Sequence, residues 1–557
     1  MAGPGGRERL FAEGVAHAKA GRHDRALALF EKVRRQRPDA AVLNAIAITL
    51  KAMGDPAGAR AAYDRALALA PTNPDLLYNL AKLEMDNRRP AAAAALLRRA
   101  LAIRAHPSYF RNLGVCCLDL EESRAAVDAF AAAARLTPKD PVPWSYVGAA
   151  WQQVGDLKQA EKAHAKALAL QPDNPEILNN LGSTRLLQRR LDEAEAAFRR
   201  AIAVWPDYAE AHYGLAWTLL HQRHFTEGWA EWEWRLKRRR FAEPPATAPL
   251  WDGTPFKGTL LVHREIGFGD SINFARFLPR AAERCDKVVF ACQPPLVELL
   301  AASLPGIEVV RDDRKLPAAD RFAYVMSLPG FFVGCDDHMV AAPYLAPPPG
   351  RFTRVEGGGP RIGLCWSSTR KGLDPHRFLP AAMFAEAVVE GIDGARFFSL
   401  QKGLSEEEKA PVTRLAMDLE PHLADFADTA AAIAALDLVV TVDTAVAHLA
   451  GALGVPSLMM LHHGADWRWF DGDTCPWYAQ ARLFRQPAPG DWPPLLRQVR
   501  TALQGWLKNS PPLDGEGWSR KPRRRRGSPP TPTLPHEGGG GDEETTLPHA
   551  GGGGNTK

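Results

Sequence analysis

The chain carries two hydrophobic patterns, one after the other. Through residue 241, short apolar phrases close on Pro38, Pro71, Pro138, Pro172 and Pro206, with spacings of 33, 67, 34 and 34 residues. A period of about 34 residues is that of stacked helix pairs, each too small to bury its own apolar face. Gly14, Gly114, Gly148 and Gly182 each stand 24 residues before a closing proline, Ala126, Ala160 and Ala194 stand 12 before it, and Phe30, Phe130 and Phe198 stand 8 before it. The small residues let two helices approach, and the aromatic ring fills the space between one pair and the next. The pattern predicts an all-α solenoid over 7–241, of about six units and a divergent last one. The unit ending near Ala105 lacks its proline in register. Four aromatics in FTEGWAEWEW (225–234) suit a last unit that packs on something other than a repeat.

From residue 258 apolar runs alternate with amphipathic segments. TLLVHR (259–264), KVVFAC (287–292) and IEVV predict strands, with a helix SINFARFLPRAAERC (271–285) between the first two. After the Pro/Gly-rich stretch APPPGRFTRVEGGGP (346–360), RIGLCW (361–366), RFFSLQ (396–401), LDLVVTV (436–442) and SLMMLH (457–462) predict a second set. Strand–helix alternation means parallel sheets covered on both faces. The expected organisation is two α/β lobes, 242–350 and 351–510, with ligands at the carboxyl ends of the strands in the cleft between them.

Composition narrows the class. A chain of 557 residues, 46% hydrophobic and 24% charged, is that of a globular protein of two to four domains. The net charge of +5 is spread thinly apart from LKRRR (236–240) and RKPRRRR (520–526), so nucleic acid is not an expected partner. Seven cysteines, odd in number and without a CxxC pair, argue against a disulfide framework and for a reducing compartment. Neither a signal-peptide pattern nor an apolar run of roughly 18 residues is present, and a cytoplasmic location without a membrane span is expected. Residues 511–557, in which LPHEGGGG returns as LPHAGGGG, form a low-complexity tail expected to be disordered.

Two short stretches place reactive side chains beside buried segments. In TVDTAVAHLAGALG (441–454), Asp443 and Thr444 lie where a strand ends and a helix begins, with His448 one turn on. A helix N-terminus there suits a diphosphate; an ordinary cap with a core-packed histidine is the equal alternative. In EIGFGD (265–270), Gly267 and Gly269 permit a tight turn with Asp270 at its end, a pattern that is usually only a turn. The DGD triplet 471–473 and the pair His462 and His463 lack ligand spacing, so no metal site is expected.

The repeat residues resemble the tetratricopeptide repeat. The segments FTEGWAEWEWR, LVHREIGFGDSINFARFLP, RIGLCW, FFSLQKG, DFADTAAAIAALDLVVTVDTAVAHLAGALGVP, DWRW and PWYAQARLFRQ, in order over 225–486, resemble glycosyltransferases related to the heptosyltransferase family. The layout is similar to that of protein O-linked N-acetylglucosaminyltransferases. The resemblance implies a GT-B fold of two Rossmann-like lobes and an inverting transfer from a nucleotide-sugar donor, without cofactor or metal, to a glycan or protein hydroxyl. It implies Asp270 as general base, and Gly267, Gly269, Asp443, Thr444 and His448 around the donor, with Lys402 as a phosphate partner. It also implies a substrate loop with Ser367, Ser368 and Lys371. That loop, WSSTRKGLDPHRFLP, has Ser368 in place of the usual glycine and Phe378 after Arg377. The repeats would hold a protein or peptide on their concave face. The alternative is a non-catalytic repeat scaffold with a degenerate nucleotide-binding domain.

Overall fold

The computed structural model describes residues 4–238, 247–265, 267–332, 343–351, 355, 358–368 and 378–509. Residues 511–557, Lys371 and Arg377 lie outside them, and with them the expectations for the tail and for part of the substrate loop.

Fourteen helices, from Pro4–Lys19 to Phe225–Trp232, form antiparallel pairs stacked into a solenoid. Beyond the first, proline opens six of them, at Pro56, Pro74, Pro90, Pro107, Pro141 and Pro175, where its missing N–H costs nothing. Asp39, Asp55, Asn73, Asp140, Asp156 and Asn174 accept from first-turn N–H groups as caps. The unit without its proline in register is an ordinary pair, Pro74–Asp86 and Pro90–Ile103, followed by Pro107.

The glycine and aromatic positions meet as the spacing predicts. A Cβ on Gly114 would stand 2.6 Å from Phe130 Cε1, and Gly182 is related to Phe198 in the same way. One unit breaks the rule: His164 occupies the aromatic position, under Gly148. It is fully buried, neither ring nitrogen has a hydrogen-bond partner, and burial pulls its pKa down to about 4. His164→Phe is expected to stabilise the protein by about 1–3 kcal/mol, because two unsatisfied nitrogens leave the core. The neutral buried ring is fully compatible with folding above the ordinary imidazole pKa. As pH falls from there toward about 4, the unfolded chain takes up a proton that the fold refuses, so the advantage of phenylalanine widens. Urea midpoints at two pH values check this; a midpoint lowered by the substitution would contradict it.

Beyond the solenoid stand two sheets. The first, in the order β3-β2-β1-β4, comprises β1 (Thr259–His263), β2 (Lys287–Cys292), β3 (Ile307–Arg311) and β4 (Arg321–Tyr324), all parallel. The second comprises β5 (Arg361–Cys365), β6 (Arg396–Ser399), β7 (Met417–Asp418), β8 (Leu438–Val442), β9 (Ser457–Leu461), β10 (Thr474–Cys475) and β11 (Tyr478–Arg485). Its order is β10-β11-β9-β8-β5-β6-β7, parallel except for β10. In each sheet the chain runs outward on one side of the central strand and then resumes on the other. The order therefore reverses between β1 and β4, and between β5 and β8.

Helix 271–285 of the sequence reading is broken into Phe268–Phe274, a 3-10 turn Ala275–Phe277 and Leu278–Ala282. Pro279 accounts for the interruption, since it removes an N–H from the ladder. The divergent last repeat closes on the sheets: Trp229 and Trp232 pack edge-on against Trp467 at 5.4 and 6.0 Å, and Trp229 also meets Phe274 at 6.2 Å. One apolar cluster joins these residues to both sheets. Among the described residues no helix is long and apolar enough to cross a membrane.

Candidate functional site

The order reversal between β5 and β8 opens a crevice at the carboxyl edge of the larger sheet, where open α/β sheets bind ligands. Three strand ends are tied together there. Gln401, just past β6 and 2% exposed, accepts from the Trp366 and Ser367 N–H groups at 3.2 and 3.0 Å and donates to the Ser367 carbonyl at 3.1 Å. Cys365 Sγ, at the end of β5, is 3.7 Å from Thr444 Oγ1. Thr444 caps the helix Ala445–Ala452 with extended backbone and no side-chain bond to it, and its carbonyl accepts from the Ala447 and His448 N–H groups at 3.0 and 3.4 Å. Asp443 stands beside it, half-buried. A cavity of about 160 Å³ adjoins Ser367, walled by Trp366, Leu379, Pro380 and Leu404 with Glu408.

Asp270 reaches this edge from the other sheet. It sits not in the turn but in the first turn of helix Phe268–Phe274, where its Oδ2 accepts from the Gly267 N–H at 3.0 Å. Its Oδ1 accepts from Arg468 Nη2 at 2.9 Å. Burial raises the Asp270 pKa; Arg468 opposes the rise and Asp466 adds to it. Arg468 is itself buried, pairs with Asp466 at 2.6 Å and lies over Phe274 and Trp467. Burial works against its charge, but Asp466 and Asp270 outweigh burial and hold it protonated. Asp443 contributes to the same field.

The two turn motifs meet through Gly269 and His448. A Cβ on Gly269 would stand 2.7 Å from His448 Cδ2, so glycine is required for the contact between helices Phe268–Phe274 and Ala445–Ala452. His448 is buried, stacks on Trp469 at 4.9 Å, and its Nδ1 lies 2.9 Å from the Tyr478 hydroxyl. That hydroxyl donates to Asn273 Oδ1 at 2.9 Å. Burial, with Arg468 adding to it, pushes the His448 pKa down to about 3. His448 is therefore a neutral ring that sets the spacing of two helices; it brings no positive charge to a diphosphate. Its surroundings are those of the core-packed histidine, one of the two readings the sequence left open.

Lys402 is exposed and its Nζ donates to the Leu423 carbonyl. Ser367 is buried, Ser368 half-buried, and both lie at the crevice end of β5. Sequence reasoning missed Gln401 and Arg468, although both stand inside quoted segments, SLQKG and DWRW. The signal was a polar residue next to a strand end and an arginine between tryptophans, neither of which names its partner.

Asp471 serves the junction with the solenoid, where it pairs with Arg189. Among the described residues no group of three or more His, Cys, Asp or Glu side chains is arranged to hold a metal ion.

Comparison with known proteins bears mainly on the solenoid. Tetratricopeptide repeat families match residues 50–114, and 3–41, 11–74, 152–203 and 186–233. The N-terminal region is thus a tetratricopeptide solenoid, followed by parallel-sheet α/β elements. Protein FlbA of Caulobacter vibrioides is 29% identical over 497 residues, covering 82% of this chain and 83% of that protein. Among solved structures, MamA is 24% identical over 30% of this chain and 97% of its own, with a TM-score of 0.28. YrrB, described as a TPR protein with an unusual peptide-binding site, is 22% identical over 33% and 95%, with a TM-score of 0.30.

Proposed function

We propose that the chain is a glycosyltransferase that moves a sugar from a nucleotide-sugar donor to a hydroxyl of a protein or glycan, with inversion and without a metal. Its tetratricopeptide repeats are of a kind suited to protein–protein interaction, and they would recruit the acceptor or a partner. The observation that carries this reading is the apposition of Asp270 to the β5–β8 crevice through the Gly269–His448 contact. The two sheets would then be the lobes of a GT-B fold.

In the proposed reaction the acceptor oxygen attacks the anomeric carbon, its proton passes to Asp270, and the carbon–oxygen bond to the diphosphate breaks. A carboxylate whose pKa is raised by burial is a better proton acceptor than an exposed one. Charge developing on the diphosphate would meet the N–H groups opening helix Ala445–Ala452, with Lys402 within the same lobe. Ser367 and Ser368 would border the donor, and the cavity beside Ser367 would take an apolar ring.

A second reading, a repeat scaffold that binds nucleotide without turnover, has one observation in its favour. Both Asp270 oxygens are already hydrogen-bonded, to Arg468 and to Gly267. Incubating the full chain with a panel of nucleotide sugars and candidate acceptors, and following nucleoside diphosphate release, separates the two. Release from one donor supports the transferase. Nucleotide binding with no release from any donor supports the scaffold, and absence of nucleotide binding sinks both.

A further inference from the structure

The carboxyl edge of the larger sheet carries a second set of side chains, where it meets the solenoid. Arg485 ends β11 and His463 follows β9, while Arg189 and His221 arrive from the repeats. Arg189 Nη2 lies 3.2 Å from His221 Nε2, and its Nη1 donates to the His463 carbonyl at 3.5 Å. Arg485 Nη2 donates to the Phe470 carbonyl at 2.6 Å. Its Nη1 is buried and has no hydrogen-bond partner.

The balance of charge here differs from that around the two fully buried guanidiniums, Arg235 and Arg468. Arg235 faces Glu233 and Glu265, and Arg468 faces Asp270 and Asp466. At the junction Asp471 pairs with Arg189, lies 3.5 Å from His221 and is 64% exposed, and among the described residues no ion pair reaches Arg485. Asp443 adds negative charge to the field at Arg485. Burial and the neighbouring Arg189 pull the Arg485 pKa down to about 10, and burial also lowers that of Arg189. Burial, with Arg189 and Arg485 adding to it, brings His221 down to about 4, and burial lowers His463, so both rings are neutral at pH 7 and leave the charge to the arginines. A half-buried pair of like charges with an unsatisfied donor costs stability unless an anion completes it.

We propose that this junction is an oxyanion site that takes a phosphate or carboxylate group, with Arg485 Nη1 as its principal donor and Arg189 alongside. The site requires no catalysis, so it stands or falls apart from the transferase reading. It lies on the same sheet edge as Asp443 and Thr444, and the anion belongs either to a nucleotide diphosphate or to a separate molecule held between repeats and sheet.

The test uses the full chain and inorganic phosphate, at ionic strength matched with chloride, read by calorimetric titration and by thermal unfolding. Phosphate is expected to bind and to raise the melting temperature. Arg485→Gln should weaken that binding roughly tenfold or more, as loss of a charge-assisted donor does. Without phosphate this variant should melt no lower than the wild type, since an uncompensated charge has gone. Arg485→Lys, which keeps the charge, should retain part of the binding and provides the comparison if the glutamine variant misfolds. Acetate in place of phosphate tests the carboxylate arm. Competition between phosphate and a nucleoside diphosphate would assign the site to the nucleotide; simultaneous binding would assign it to a separate molecule. Absence of any phosphate effect in the wild type, or an equal effect in Arg485→Gln, overturns the proposal.

Discussion

Replacing Arg235 with alanine is expected to cost about 3–5 kcal/mol of stability, among the largest losses of any single substitution in the chain. Arg235 lies in the 3-10 turn Glu233–Lys237, where the last repeat meets the first sheet. Its guanidinium donates to both Glu265 oxygens at 2.9 and 2.8 Å, to Glu233 at 2.7 Å, to Ser327 at 2.7 Å and to the Trp232 carbonyl at 3.2 Å. Burial works against its charge, but Glu265 and Glu233 outweigh it and keep it protonated. The Glu265 side chain is 1% exposed and, without Arg235, would keep among the described residues only the Met326 N–H at 3.1 Å. An uncompensated carboxylate would then sit at the order reversal between β1 and β4, so that reversal is filled by the solenoid's own arginine. Arg235→Met combined with Glu265→Leu should recover much of the loss, because removing both charges leaves none unpaired. Chemical unfolding of the single and double variants measures this. A loss near 1 kcal/mol for Arg235→Ala, the scale of an exposed pair, would show that the pair does not join the two regions.

Asp270→Asn is expected to lower turnover by about a hundredfold to ten-thousandfold, with nucleotide binding retained, if Asp270 takes the acceptor proton. In that proposed role the carboxylate must be ionised. The ionised form is present above the Asp270 pKa and lost as pH falls through it, and burial places that fall above the ordinary carboxylate range. Arg468→Gln removes the opposing charge and should move the fall to higher pH still. An amide at 270 must point one donor toward either Arg468 or the Gly267 N–H, so the melting temperature of Asp270→Asn is measured beside its rate. Turnover unchanged in a folded Asp270→Asn would remove the residue from the chemistry. An acid limb unmoved by Arg468→Gln would remove the arginine from its control.

How much of this was legible in sequence depends on the range of the interactions concerned. Period and proline positions are local, and they located the solenoid; the histidine at the aromatic position of one unit emerged only with its contact to Gly148. The buried central strands β1, β2, β5, β8 and β9 were legible as continuous apolar runs. β11, whose burial alternates irregularly along YAQARLFR, and the short edge strands β4, β7 and β10 were not, since a broken alternation or a strand of two to four residues leaves little periodic signal.

The sequence by itself determined the succession of repeats and α/β segments, and it placed Asp270 and Asp443 beside turns. Only the tertiary structure decided what those residues face. Asp270 is 198 positions from Arg468, Arg235 is 30 from Glu265, and Arg189 meets the His463 carbonyl across 274 residues. Such pairs carry no spacing rule, because the chain path that joins them is set by how the sheets and the solenoid pack. The same packing makes His448 a neutral spacer: burial against Trp469 and Tyr478 costs its charged form more than any local motif reveals.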